Sequence, residues 1–285
     1  MKREKGDKIK PLDPKIEGER LLAMHPLEAS EIFQRYSIEE QLAIIEATSD
    51  PQKREELYYL VPDCSELVQK SKIEVVLQVV DSLLGTGLAC GILSAVSPQQ
   101  LEEMIDMTIW DEHGKLNEEM LELWFFELIN LDFEDIDRLL TRVSIDILVE
   151  LFRDRIDIDP AYRGGEYKWE LIEEGVINPE GLIYYDERAR ILADMIWAAD
   201  EGLFIQILRE LFLQTDLEGP REGELRRLRS KEARDERMRE RNKERGLTVS
   251  EEEMFSEVDL EHLNPVSYTH LRAHETRHDL VCRLL

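Results

Sequence analysis

Cysteine is scarce in this sequence. Cys64, Cys90 and Cys282 are the three thiols in 285 residues, and none belongs to a C-x-x-C pair, so neither a disulfide framework nor a cysteine-rich zinc site is expected. Positive charge is also in short supply. Lys and Arg number 36 against 63 Asp and Glu, giving a formal net charge of -27. A polyphosphate partner rewards clustered cations, so nucleic-acid binding is not expected. Long apolar runs are missing as well: the least polar stretch, LLGTGLACGILSAV (Leu83–Val96), falls short of the roughly 20 residues a spanning helix needs. The opening MKREKGDKIKPLDPK lacks the apolar centre of a signal peptide. A reduced, cytoplasmic location is the resulting expectation.

What the chain has in quantity is short helix signals. After a polar segment at 1–20, residues 21–156 repeat one device, a polar cap followed by apolar residues at helical spacing. In YSIEEQLAIIEATSD, Ser37 and Glu40 form a predicted capping box ahead of Leu42, Ile44 and Ile45. Ser97 and Gln100 repeat it before Leu101, Met104 and Ile105, with proline early in the helix. Asp132 and Ser144 are predicted caps for two further helices, and Asp50-Pro51 opens another. Trp110 and Trp124 are read as core residues. Helices this short are marginal alone, so they must stack. The expected fold is all-α, a solenoid-like array of short helices, with an ordinary compact bundle as the alternative.

The stretch LLAMHPLEASEIFQRYSIEEQLAIIEATSDPQ, beginning at Leu21, resembles the cytosolic N-terminal helical repeats of MgtE-type magnesium transporters, where His-Pro opens a short helix. The resemblance extends to about Ile156 and also touches uncharacterised bacterial proteins built on such repeats. It implies a cytosolic magnesium-sensing regulatory module. After Ile156 the sequence departs from that family, showing no strand–helix–strand alternation typical of its CBS domains and no membrane segment.

Residues 157–186 read as a connector with a small hairpin, because NPEG lies between GVI and LIYY. A second helical region is expected over 187–265. Its first part places Ile191, Leu192, Met195, Ile196, Ala199, Leu203, Ile207, Leu208, Leu211 and Phe212 on one apolar face, with Gly202 as a break. From Pro220 to Gly246 follows a long charged helix of mixed sign, read as a solvated helix rather than a basic arm.

HETRH near the end matches the zinc-protease pattern H-E-x-x-H, and His270, His274, His278 and Cys282 recur at four-residue intervals. The flanks supply another explanation. VSYTHLRAHET and LVCRLL are in-frame translations of the two constant blocks of a sequencing-library adapter, in the right order and separated by the length of a sample index. Residues 266–285 are therefore expected to be a non-native, adapter-derived tail, and the natural chain is expected to continue beyond Pro265. The metal match is judged an artefact. Of the remaining histidines, His25 reads as a helix-opening residue, His113 as a loop residue and His262 as exposed. Asp154, Asp157 and Asp159 suggest either weak divalent-cation binding or a solvated acidic turn, the latter preferred.

No catalytic, cofactor-binding or metal-ligating residue is singled out, and no cofactor is expected. The leading expectation is a non-enzymatic helical-repeat scaffold or regulatory module that binds another protein. A magnesium-responsive regulatory domain is the first alternative. The second is a fragment of an enzyme whose active site lies in a missing C-terminal part.

Overall fold

The computed structural model describes residues 12–110, 115–159, 178–212 and 221–245, with the backbone alone for 221–229. Two compact units divide the chain, Met1–Arg234 and Asp235–Leu285. Within the described residues the protein is all-α, with fourteen α-helices and one two-stranded ladder.

The first half is built from α1 (Pro14–Leu22), α2 (Pro26–Phe33), α3 (Ile38–Ala47), α4 (Pro51–Tyr58), α5 (Ser65–Lys70), α6 (Ile73–Leu83), α7 (Cys90–Leu93) and α8 (Pro98–Thr108). Their starts follow local chemistry. Ser37 Oγ accepts from Glu40 N at 3.3 Å while Glu40 Oε2 accepts from Ser37 N at 2.9 Å, so two otherwise orphaned amides are satisfied. Ser97 and Gln100 form the same box ahead of α8. Asp50 accepts from Gln52 N and Lys53 N, and His25 Nδ1 accepts from Leu27 N at 3.4 Å, the helix-opening role read from His25-Pro26. The first helix starts at Pro14 rather than near Leu21, since Asp13 caps it through Ile16 N.

The array continues with α9 (Glu118–Leu128), α10 (Phe133–Leu139), a 3-10 turn (Leu140–Arg142) and α11 (Ile145–Phe152). Asp132 caps α10 through Asp135 N at 2.9 Å. Ser144 does not cap α11: its hydroxyl and its amide both donate to Glu102 Oε1 on α8, forming a cross-helix tie. Helices pack mostly on the next but one, α1 on α3, α3 on α5, α4 on α6, α6 on α8 and α8 on α10. Side chains reach across these helices to carbonyls near helix ends. Ser30 Oγ donates to Leu60 O at 2.6 Å, Gln69 Nε2 to Ala95 O at 3.1 Å and Gln100 Nε2 to Val68 O at 3.0 Å. Arg138 donates to Val96 O and Ser94 O, both at 2.7 Å.

The loop between α6 and α7 is held from inside. Gly85 and Gly87 adopt φ of 79° and 75°, a region that costs a side-chain-bearing residue free energy. A Cβ on Gly85 would sit 2.7 Å from Leu123 Cδ2, a side-chain tip that can turn aside, so it is the positive φ that favours glycine there. The buried Glu127 carboxylate of α9 then accepts Gly87 N at 2.9 Å and Ala89 N at 3.1 Å. Trp124, fully buried one turn away, donates its indole N–H to Thr108 Oγ1 at 2.7 Å, and Trp110 is also buried.

After α11 come β1 (Ile156–Ile158) and β2 (Leu182–Tyr184), paired antiparallel with Ile156 opposite Tyr184. The strand partner of LIYY is thus Ile156–Ile158, and NPEG forms a 3-10 turn at Pro179–Gly181 opened by Asn178; GVI lies outside the described residues. Next are α12 (Glu187–Ala199), α13 (Glu201–Phe212) and α14 (Arg221–Glu244). The break between α12 and α13 belongs to Asp200 rather than Gly202: Asp200 ends α12 and its Oδ1 accepts Leu203 N at 2.9 Å. Ile191 is exposed, and Ala193 takes a buried place beside Leu192 and Ile196. These helices extend the array, α12 packing on α10 and α13 on α11. Phe204 of α13 meets Phe152 and Trp197 edge to face, at centroid distances of 6.0 and 5.9 Å. In the second unit the described residues 235–244 are helical.

Candidate functional site

One cleft of about 310 Å³ is formed where α9, the end of α11 and the turn into α12 come together. Leu116 and Leu121 supply its apolar surface, and Glu118, Glu122, Glu150, Arg153, Asp154, Arg155, Tyr185 and Asp186 its polar one. The β1–β2 ladder positions the groups, since Tyr185 N donates to Arg155 O at 2.8 Å and thereby places Asp186 beside Arg155.

Two ion networks line the cleft. Glu150 is 1% exposed, and a buried carboxylate needs full hydrogen bonding. Arg153 provides two parallel bonds, Nε and Nη2 each at 2.7 Å, and Ser230 Oγ a third at 2.8 Å. The second network centres on Glu122. One of its oxygens pairs with Arg155 Nη2 and the other accepts Arg188 Nη2 at 2.9 Å. Both guanidiniums lie over the Phe125 ring, at 4.7 and 5.5 Å from its centroid, a favourable cation–π placement. Arg155 also donates to Leu151 O at 2.9 Å and lies 3.8 Å from Asp186. Hydrogen bonds from Arg188 hold the Asp186 carboxyl below its usual range against the opposing effect of burial, and Asp186 in return raises Arg188.

Asp154 is the only described non-glycine residue with positive φ, at 60°. Aspartate tolerates this conformation better than most residues, and here it turns the chain from α11 into β1 with Asp154 exposed. Beside it, Tyr185 is 67% exposed. Among the described residues the cleft lining contains no Ser, Cys or His, and Arg188 holds the Asp186 carboxyl below its usual range, away from proton exchange near neutrality. The cleft presents charged groups, an exposed ring and apolar surface.

Of the acidic trio read from the sequence, Asp154 is at this cleft, Asp157 is in β1 with its Oδ1 accepting Ile158 N at 2.8 Å, and Asp159 follows the strand. Among the described residues no group of three or more His, Cys, Asp or Glu is placed to hold a metal ion. His113, His262 and the HETRH segment with His270, His274, His278 and Cys282 lie outside the described residues, as does the adapter-like 266–285. No described helix is long and apolar enough to cross a membrane. Glu122, Glu150, Arg153, Arg155, Tyr185, Asp186 and Arg188 were not singled out from sequence. The one local signal was the RDR pattern at 153–155, immediately after an apolar helix.

Residues 30–163 match the model of a family of unknown function, DUF6178. The match takes in most of the array and the part of the cleft up to Arg155; Tyr185 and Asp186 lie beyond it. No curated protein and no solved structure matches the chain.

Proposed function

We propose that this chain is a non-enzymatic helical-repeat module that binds another protein. The observation that carries the proposal is the cleft beside Tyr185. Its charged groups are fixed in advance by paired arginines and carboxylates, and a large aromatic ring stands exposed at its side. Preorganised surfaces bind with less ordering cost than mobile ones, and exposed aromatic residues are common anchors in protein interfaces. Stacked helices commonly present such surfaces.

The test is site-specific photo-crosslinking in the source cells. A photo-reactive phenylalanine analogue in place of Tyr185 is expected to capture a defined protein, whereas the same group in place of exposed Leu27 on α2 is not. Equal labelling from both positions, or none from residue 185, would overturn the proposal. The resemblance of residues 21–156 to MgtE-type repeats would add a magnesium response. In that case millimolar magnesium should raise the melting temperature of the purified chain, and an unchanged melting curve removes the magnesium reading.

A further inference from the structure

We infer that the cleft takes a lysine or arginine side chain from a basic segment of its partner, an inference that rests on the protein-binding reading above. Five carboxylates line it against the two guanidiniums of Arg153 and Arg155, and Arg188 beside the cleft pairs with two of the five, Glu122 and Asp186. Those guanidiniums are already committed. Arg153 makes a bidentate pair with Glu150, which Ser230 also holds, and Arg155 pairs with Glu122. An incoming anion would have to break one of these pairs, whereas a cation meets carboxylates that outnumber the guanidiniums around them, with exposed Asp154 among them. Tyr185 offers an exposed ring face to a cation. Leu116 and Leu121 suit the methylene stem of a long basic side chain, which packs on apolar surface while its charged head stays near water. The charge of -27 on the whole chain steers a basic segment towards it.

Asp154 provides a clean probe. It is exposed and its backbone sits at φ 60°, which asparagine also tolerates. Asp154→Asn therefore removes the charge while keeping the turn. The probe ligand is a fluorescent peptide of alternating glycine and arginine, with the citrulline peptide as its neutral counterpart. Binding to the full chain is read by fluorescence anisotropy, and circular dichroism checks that each variant folds. Asp154→Asn and Tyr185→Ala are each expected to weaken arginine-peptide binding by about five- to tenfold. Glu28→Gln, an equal charge change at an exposed position outside the cleft lining, is expected to weaken it by less than about twofold, because salt screens exposed charges that do not touch the ligand. The citrulline peptide is expected not to bind.

If Glu28→Gln weakens binding as much as Asp154→Asn, the attraction is that of the whole chain and the cleft assignment fails. Absence of arginine-peptide binding, or indifference to both cleft variants, overturns it as well. The two proposals fail separately. Crosslinking from residue 185 to a partner segment without Lys or Arg sinks the basic-segment inference and leaves protein binding standing, whereas loss of the specific crosslink sinks protein binding itself.

Discussion

At the scale of single residues, the groups that matter most are buried and polar. Glu127 is fully buried and its two oxygens receive Gly87 N and Ala89 N. Glu127→Ala strands the buried Ala89 amide and frees the part-buried Gly87 amide in the loop that joins α6 to α7, and an unsatisfied buried donor costs about 1–3 kcal/mol. The expected result is a lower urea midpoint with an unchanged slope, and a smaller loss for Glu127→Gln, which keeps one acceptor oxygen. Tyr58 gives a pH-dependent counterpart. Burial raises its hydroxyl to about 12 from an ordinary 10.0 while a hydrogen bond to Ser71 opposes the shift. A raised folded value means the contribution is complete below about pH 10 and disappears as pH rises towards the folded value. Alkaline titration of stability should therefore fall more steeply for the native chain than for Tyr58→Phe. Asp186 runs the other way. Its folded value is depressed by Arg188, so its contribution is present above the ordinary carboxylate range and is lost as pH falls below about 4. Asp186→Asn should flatten the difference between urea midpoints measured at pH 5 and pH 3; an undiminished difference would show that the acid sensitivity arises elsewhere.

At the scale of elements, the termini of α3, α8 and α10 were legible because a cap acts over three residues and needs no tertiary information. Ser37 with Glu40, Ser97 with Gln100, and Asp132 all sit where their spacing placed them. Ser144 was misread for a non-local reason: Glu102, 42 residues earlier, claims its hydroxyl and its amide. The ladder was half legible, with strand chemistry in LIYY apparent but its partner Ile156–Ile158 hidden across a long gap. The cleft was least legible of all. Glu122 meets Arg155 across 33 residues and Arg188 across 66, and among 63 acidic residues no spacing marks out these few. Where the chain leaves α12 for α13, the decisive contact is likewise distant. Phe204 packs edge to face on both Phe152 and Trp197, tying α13 to α11 and α12 at one point. Phe204→Ala is expected to cost about 3–5 kcal/mol in chemical denaturation. Asp200→Ala, which removes only the cap contact to Leu203 N, should cost about 1 kcal/mol. Comparable losses from the two variants would mean that the aromatic junction is not what secures α13.

At the scale of the whole molecule, charge and packing oppose one another. The excess of acid over base, 63 against 36, gives repulsion that acts over the entire surface, whereas the described ion pairs are local. Exposed pairs such as Lys70–Glu66 and Arg190–Glu187 contribute little, with a typical upper value of about 1 kcal/mol each. The enclosed pair Arg153–Glu150 is shielded from salt by its surroundings. Added salt therefore screens repulsion broadly while weakening only the exposed pairs, and the repulsive component dominates because same-sign charges far outnumber those pairs. The melting temperature at pH 7 should accordingly rise as sodium chloride is raised from low to physiological ionic strength, and level off once the Debye length falls to about 8 Å. A melting temperature that instead falls steadily over this range would mean that the exposed ion pairs outweigh the repulsion. The same screening should weaken capture of the arginine peptide, so stability and binding are expected to move in opposite directions with salt.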